Sequence, residues 1–351
     1  APDVWYISAH DVPDLARFGL IEALDPYTER DGFDVDEYFQ VIVDSFRYRG
    51  GLYGLSMQFG AIALFYNQDL FRQHGVAPPD STWSWQHLLE AARALTLDLD
   101  GDGVIDQYGV SINSSMESVV ANFIFQNGGR IMDETRTRIL IDSPEARQAV
   151  QFLVDLREKH KVAPGVGRPG LSGMGALELF ETGRIAMAFE GSWRMDFYNR
   201  SGQLNYDVAP LPMGPDGGRG MCANGLANAL NANSDVKEAA WKWMHFYASE
   251  EAQRLLGEWK RGIPSMRRIA EEPGGVFLSP DLPPQSEAVF LQQMDEAHDL
   301  WPSVAYAEWM DRLGQELDAV FQGSKTTAQA LKDATDFGNG LIRTALAKEG
   351  Q

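Results

Sequence analysis

The stretch Arg184-Ile185-Ala186-Met187-Ala188-Phe189, which stops at Gly191, decides the fold class. A short, continuous apolar run closed by glycine predicts a fully buried strand. Helical patterns flank it. Ser143-Pro144-Glu145 combines a serine cap with a proline in the first turn, and Ser234-Asp235 opens an apolar helix that runs to about Leu256. Buried strands between such helices predict an α/β protein rather than a sandwich or a bundle.

The same alternation extends over the rest of the chain. Strands are predicted at residues 4–7 and 61–66, a turn and strand at residues 51–56, and helices at residues 14–19, 85–96 and 326–347. With 351 residues, the chain is long enough for two domains.

The composition favours a neutral small ligand. The chain has 30 basic and 50 acidic residues and a formal net charge of −20, so its surface repels nucleic acid and anionic lipid headgroups. Its one cysteine, Cys222, cannot form an intrachain disulfide and is expected to be a small buried side chain. No apolar window is long enough to span a membrane, and no signal-peptide core precedes the first predicted strand.

Several stretches resemble the extracellular solute-binding proteins of ABC transporters, the group that includes maltose- and oligosaccharide-binding proteins. The matching stretches are Ala1-Pro2-Asp3-Val4 through Gly19-Leu20, Leu64-Phe65-Tyr66-Asn67-Gln68-Asp69-Leu70-Phe71, Thr82-Trp83, Asn127-Gly128-Gly129, Phe180-Glu181-Thr182-Gly183-Arg184-Ile185-Ala186-Met187 with Gly191-Ser192-Trp193, and Lys237-Glu238-Ala239-Ala240-Trp241. No single stretch is specific. Their order and spacing across almost the whole chain carry the resemblance.

The resemblance implies a two-lobed periplasmic-binding-protein fold of type II, with strands that cross between the lobes. It places residues 1–58 and 230–278 in an N-terminal lobe and residues 63–226 and 285–351 in a C-terminal lobe. Hinges are expected near residues 58–62, 226–230 and 278–285. Members of this group carry a first strand-helix-strand unit ahead of the Pro-Asp-Val step, so the resemblance also implies that this unit is missing here.

The implied function is capture of a mono- or oligosaccharide in the cleft between the lobes and delivery to an ABC permease. The resemblance further implies a monomer in the periplasm or outside the cell, with a lipid anchor as one option. Binding by lobe closure requires no catalytic group and no cofactor.

Candidate ligand-binding residues are aromatic and polar, since a sugar offers apolar ring faces and many hydroxyl groups. Trp193 follows a buried strand and matches a sugar-stacking position of the maltose-binding relatives, and Trp309 also matches a sugar-facing aromatic. Trp83, Trp241 and Trp243 are expected to pack in the core. The remaining candidates lie in predicted loops and at the first hinge: Trp259, Arg261, Asn224, Gln58, Phe59, Ser8, Asp11, Asn113 and Glu117.

Other functions stay open at this point. A glycoside hydrolase or polysaccharide lyase would also line a cleft with acids and aromatic residues. However, the chain has no Gly-x-Ser-x-Gly elbow, and its histidines lack metal-ligand spacing. The same fold could instead bind a polyamine, a metal ion or a phosphorylated polyol. Arg194 and Arg261 are compatible with a phosphorylated polyol, because arginine binds phosphate groups.

An acidic segment predicts a structural calcium site. Asp98, Asp100, Asp102 and Asp106 occupy positions one, three, five and nine of a calcium-loop template, and Val104 offers a backbone carbonyl at position seven. Position twelve is Gly109 where a bidentate glutamate would stand. The alternative is an acidic turn held by its own hydrogen bonds.

Overall fold

The computed structural model describes residues 1–165, 176–278, 282–299 and 301–349. Within them the strands are β1 (Val4–Ser8), β2 (Arg47–Tyr48), β3 (Gly51–Leu52), β4 (Leu55–Asn67), β5 (Tyr108–Val110), β6 (Ile185–Gly191), β7 (Tyr206–Ala209), β8 (Met221–Leu230), β9 (Ile263–Pro264) and β10 (Ala297–His298).

The helices are α1 (Val12–Arg17), α2 (Asp25–Asp31), α3 (Gln40–Ser45), α4 (Gln68–Gln73), α5 (Trp85–Ala94), α6 (Ala121–Gln126), α7 (Pro144–Glu158), α8 (Ala176–Glu181), α9 (Met195–Ser201), α10 (Lys237–Ala248), α11 (Glu250–Glu258), α12 (Arg267–Ala270), α13 (Ala288–Gln292), α14 (Tyr306–Phe321) and α15 (Thr327–Glu349). Single helical turns lie at Ala9–Asp11, Val35–Glu37, Ser192–Arg194 and Met294–Glu296, and a π-helical turn lies at Met116–Val120.

One long strand, β4, joins two sections of the main sheet. Its residues 55–61 pair with β8, and its residues 62–67 pair with β6 and β7. The partner therefore changes between Ala61 and Ile62. Almost every residue of β4 is buried, as expected for a strand that runs through the core. We call β1, β9 and the paired parts of β4 and β8 the first sheet section, and β5, β6, β7 and the end of β4 the second.

A second change of partner lies in β8. Its residues 223–230 pair with β4 and β1 in the first section, and Met221 and Cys222 pair with β10. Its partner thus changes at Cys222–Ala223, ahead of the crossover expected at residues 226–230. The change in β4 lies within the expected hinge at residues 58–62. Residues 279–281, in the third expected hinge, lie outside the described residues. The lobe boundaries remain predictions.

Two predicted elements differ from the structure. The strand predicted at residues 61–66 is the second half of the single strand β4, because pairing continues on new partners past Ala61, and the segment predicted at residues 51–56 is divided between β3 and the start of β4. The helix predicted from Ser234 to Leu256 is two helices, because Ser249 adopts extended backbone and its side chain caps α11. The cap at Ser143 is confirmed, since its hydroxyl accepts a hydrogen bond from the Ala146 amide.

Helices cover both sheet sections. Helices α10 and α11 pack on β4 and on β8 or β9 in the first section, and α8 packs on β6 in the second. The C-terminal helices α14 and α15 pack against each other, and α15 also contacts α7. Cys222 is fully buried, as expected. In the described ranges, we find no helix with the length and apolar character needed to cross a membrane.

Candidate ligand site at the junction of the sheet sections

Trp193 lies where β4 changes its partners. Strand β6 ends at Gly191, and the helical turn Ser192–Arg194 carries the half-buried indole back over the sheet. The ring rests directly on two glycines. A Cβ atom at Gly60 would lie 2.3 Å from Trp193 Cζ3, and one at Gly191 would lie 2.2 Å from Trp193 Cη2. Neither strand therefore has room for a side chain beside the indole in its present position.

The strand register places several predicted site residues on the same face of the first section. Directly opposite residues of an antiparallel pair share a face. Gly60 pairs with Asn224, and Gln58 and Ser8 both pair with Leu226. We call this face the floor, and its residues are Tyr6, Ser8, Gln58, Gly60, Asn224, Leu226 and Asn228. Trp193 thus stands at one end of a floor with amide and hydroxyl side chains.

A groove of about 490 Å³ opens above the floor. Its aromatic residues are Tyr6, Trp193, Trp243 and Tyr247, and its other lining residues are Met57, Gln58, Asp196, Asn228, Leu256 and Arg261. Trp193 and Asp196 follow β6, whereas the other residues come from the first section, its covering helices and, for Arg261, the connection between α11 and β9. The groove therefore lies between the first sheet section and the residues that follow β6 of the second section.

Three buried oxygen atoms beside the floor accept no hydrogen bond from any described residue. They are Gln58 Oε1, Asn224 Oδ1 and Glu117 Oε1. Burial raises the pKa of Glu117, and a hydrogen bond with Asn224 works against this rise. An unpaired acceptor is costly when it is shielded from water. These atoms are thus suited to a ligand that donates several hydrogen bonds.

The two candidate arginines differ in their pairing. Arg194 Nε donates to Glu190 Oε2 at 3.3 Å, so its charge is used within the fold. Arg261 lines the groove and forms no hydrogen bond or ion pair with another residue in the described part of the chain. The guanidinium of Arg261 is available to a ligand.

Ser8 and Asp11 border the floor at the end of β1. Asp11 Oδ2 accepts a hydrogen bond from the Ser8 amide at 3.1 Å, and the Ser8 hydroxyl bonds His10 Nδ1 at 3.0 Å. His10 stacks on Tyr306, the first residue of α14, with ring centroids 4.3 Å apart. Ser8 and Asp11 therefore hold the turn that carries this stack.

Of the predicted site residues, only Gln58, Trp193 and Arg261 line the groove itself. Ser8, Asp11, Asn224 and Glu117 belong to the floor or border it, and the other four do neither. Phe59 is on the opposite face of β4, where it packs edge to face against Phe39 in the core. Trp309 is fully buried, and its indole donates to Ser303 Oγ at 3.0 Å. The hypothesis that Phe59 and Trp309 contact ligand is therefore not supported in this conformation. Trp259 is 57% exposed outside the groove, and Asn113 caps the following turn by accepting from the Ser115 amide.

Part of the groove was not predicted from the sequence. Trp243 was expected in the core, but it is 51% exposed and lines the groove. The buried stripe of α10 consists of Trp241, Met244 and Ala248, at helical spacing. That spacing places Trp243 and Tyr247 on another face of α10. The helical spacing of the apolar residues could therefore have indicated that Trp243 is outside the core. Tyr6, Asp196 and Asn228 had no comparable sequence signal.

The family model of the bacterial extracellular solute-binding proteins matches residues 1–254. The chain belongs to this family. A binding protein of Brucella abortus is 26% identical over 97% of this chain and 80% of its own length. The sn-glycerol-3-phosphate-binding periplasmic protein of Rhizobium meliloti is 24% identical over 90% of this chain and 74% of its own length.

Solved structures share the fold of this solute-binding protein. An ABC substrate-binding protein from Listeria monocytogenes, in complex with cycloalternan, has a TM-score of 0.85 and 26% identity over 99% of this chain and 85% of that chain. The maltose/maltodextrin-binding domain from Bdellovibrio bacteriovorus, bound to maltotriose, has a TM-score of 0.80 and 22% identity over 98% and 85% of the two chains. The expected two-lobed α/β fold is confirmed.

The acidic segment of this solute-binding protein forms an exposed loop between α5 and β5. It brings one carboxylate oxygen each of Asp98, Asp100 and Asp106 within 4.8 Å of one another. Asp102 is not in this group, and its Oδ1 accepts a hydrogen bond from the Val104 amide at 2.7 Å. Three converging carboxylates suit a hard cation such as Ca²⁺. Calcium binding by this loop remains a prediction.

Proposed function

We propose that this solute-binding protein captures a neutral mono- or oligosaccharide in the groove between its lobes and delivers it, chemically unchanged, to an ABC permease. Trp193 provides the apolar platform. The floor provides hydrogen-bonding groups for the hydroxyls. Closure of the lobes then encloses the sugar, and the permease distinguishes the closed form from the open one.

The observation that carries this proposal is the position of Trp193 beside buried oxygen atoms that accept no hydrogen bond within the described residues. One face of the indole rests on Gly191 and its edge contacts Gly60, so the other face is left for a ligand. Gln58 Oε1 and Asn224 Oδ1 require donors, and sugar hydroxyls are donors. An aromatic platform bordered by planar polar side chains is the chemistry that a sugar needs.

The relatives support this proposal. The Listeria protein was solved with cycloalternan and the Bdellovibrio domain with maltotriose, both of which are oligosaccharides. A mannitol-binding protein of Pseudomonas aeruginosa is 25% identical over 70% of this chain and 58% of its own length. Ligands rich in hydroxyl groups thus recur among the relatives.

A phosphorylated polyol is the second candidate ligand. The free guanidinium of Arg261 in the groove favours it, because arginine binds phosphate with two parallel hydrogen bonds. The Rhizobium relative, named for binding sn-glycerol 3-phosphate, supports it as well. The formal net charge of −20 argues against an anionic ligand, so we place the neutral sugar first.

The setting of this function follows from the family, whose members act outside the cytoplasm. We propose that the protein works as a monomer in the periplasm or at the cell surface, where a lipid anchor is one way to hold it. We further propose that the loop of Asp98, Asp100 and Asp106 binds a structural Ca²⁺ ion, with Asp102 and the Val104 carbonyl as additional ligands once the loop adjusts.

A thermal-shift screen tests the proposed function. The panel contains neutral mono- and oligosaccharides, polyamines, glycerol 3-phosphate and sugar phosphates. A ligand that binds only the folded state raises the melting temperature with the logarithm of its concentration. We expect a shift with one class of neutral sugar, and chromatography should recover that sugar intact. A shift with phosphorylated polyols alone supports the second candidate, and steady consumption of the sugar contradicts a binding protein.

A further inference from the structure

Gly60 and Gly191 both contact the six-membered ring of one indole, Gly191 at its face and Gly60 at its edge. Gly60 lies in β4 opposite Asn224, just before the strand changes partners. Gly191 ends β6 opposite Ile62, just after that change. Trp193 therefore contacts both sheet sections, through one glycine from each side of the junction.

The backbone does not require glycine at either position. Both glycines lie in paired strands, and neither adopts the left-handed backbone conformation that other residues avoid. The only constraint on them is space. Added Cβ atoms would meet Trp193 at 2.3 and 2.2 Å, whereas carbon atoms in contact are normally about 3.5–4.0 Å apart. Any side chain at either position would thus displace the ring by about 1 Å or more.

We propose that Gly60 and Gly191 are positioning residues that set the orientation of Trp193 as the sugar platform. This inference rests on the proposed function, because it assigns the indole to ligand stacking. Gly191 leaves space for one face of the ring and Gly60 leaves space for its edge, and the ring lines the groove. Because they belong to different sheet sections, they also fix the platform to the junction about which the lobes move.

The position of the ring can be measured without a ligand. Protein labelled with 5-fluorotryptophan gives one ¹⁹F signal for each of its nine tryptophans, and Trp193→Phe identifies the signal of Trp193. We expect Gly60→Ala and Gly191→Ala each to shift that signal while the other signals stay in place. We also expect each substitution to weaken binding of the sugar found in the screen by about tenfold.

Gly225→Ala is the matched control. Gly225 lies next to Asn224 in the same strand, but its added Cβ would meet Phe46 at 2.8 Å rather than Trp193. This variant is destabilised by overpacking of similar kind. It should leave the Trp193 signal unchanged and bind the sugar as the wild type does. The control thereby separates general damage to the first sheet section from displacement of the Trp193 ring.

A double substitution covers the case in which Gly60→Ala does not fold. Trp193→Phe removes the ring atoms that the new Cβ would meet. Gly60→Ala should therefore lower the melting temperature much less in the Trp193→Phe background than in the wild type. If Gly60→Ala lowers the melting temperature equally in both backgrounds, the proposed contact between Gly60 and the Trp193 ring is overturned.

The failures can be told apart. An unchanged Trp193 signal in both alanine variants overturns the claim that the two glycines set the position of the ring, whatever the protein binds. A shifted signal with unchanged sugar affinity overturns the positioning role. If the wild type binds no sugar, the proposed function fails, and the role of the glycines in sugar binding fails with it. The ¹⁹F shift still decides whether the glycines set the position of the ring.

Discussion

His10 and Tyr306 stack face to face across the molecule, with ring centroids 4.3 Å apart and an angle of 9° between the ring planes. His10 lies directly after β1 in the first sheet section, and Tyr306 begins α14. Nearby, Asp14 Oδ1 accepts a hydrogen bond from the Ala305 amide at 3.2 Å. These contacts join the N-terminal region to the C-terminal helices on the side of the molecule that carries Ser8 and Asp11.

The His10–Tyr306 stack should weaken in acid. Burial lowers the pKa of His10, and the charge of Asp11 only partly opposes this effect. The folded protein therefore disfavours the protonated ring, and the penalty grows as the pH falls below the ordinary histidine pKa of about 6.5. Between about pH 7.5 and about pH 5, melting curves should show a larger loss of stability for the wild type than for His10→Phe, which keeps a ring but cannot titrate. Identical pH profiles contradict this role of His10.

Glu117→Gln should stabilise the protein at neutral pH. Burial raises the pKa of Glu117, so the charged carboxylate is less favourable in the folded state than in the unfolded chain. This penalty is fully present above the folded-state pKa and absent below the ordinary glutamate pKa of about 4.3. The gain from Glu117→Gln in urea unfolding should accordingly shrink as the pH approaches 4. A variant that is less stable than the wild type at pH 7 contradicts this assignment.

Lys260 and Glu287 form a buried ion pair between the end of α11 and the start of α13. Their side chains are 4% and 3% exposed, and Lys260 Nζ lies 2.7 Å from the carboxylate and also donates to the Phe277 carbonyl. Lys260→Met removes the positive charge that faces the buried Glu287 carboxylate and should cost about 3–5 kcal/mol in urea unfolding. Lys260→Met combined with Glu287→Leu should recover much of this loss. Additive losses show that the two charges do not stabilise each other.

Calcium should stabilise the protein through the acidic loop. At about 100 times its Kd, a metal that binds only the folded state contributes about 2.7 kcal/mol. Asp100→Asn should abolish the Ca²⁺-dependent rise in melting temperature, because Asp100 is one of the three converging carboxylates. Asp102→Asn should reduce it less, since Asp102 lies outside that group. An equal rise in the wild type and in Asp100→Asn places the ion elsewhere.

Local patterns predicted much of the fold. The apolar run at residues 184–189 and the Ser143 cap each depend on neighbouring residues only, and both are found where they were predicted. The continuity of β4 could not be predicted, because it depends on strands more than a hundred residues away that supply new partners after Ala61. The break of the long helix at Ser249 follows from one capping interaction that competes with helix continuation.

The candidate site was only partly predictable. Trp193 was identified because it follows the end of a buried strand, and Gln58 lies at the first expected hinge. Trp309 also matched a family position, but the packing of α14 buries it. The role of Gly60 was not visible in the sequence, because the contact with Trp193 depends on the register between β4 and β6.

Isothermal titration of the sugar identified by the screen into the wild type, Trp193→Ala and Trp259→Ala tests the central claim most directly. Trp259 is the matched control, since it is exposed outside the groove. We predict one site in the wild type, affinity lower by at least about tenfold in Trp193→Ala, and unchanged affinity in Trp259→Ala. Equal affinity of Trp193→Ala and the wild type contradicts a sugar site at the junction of the sheet sections.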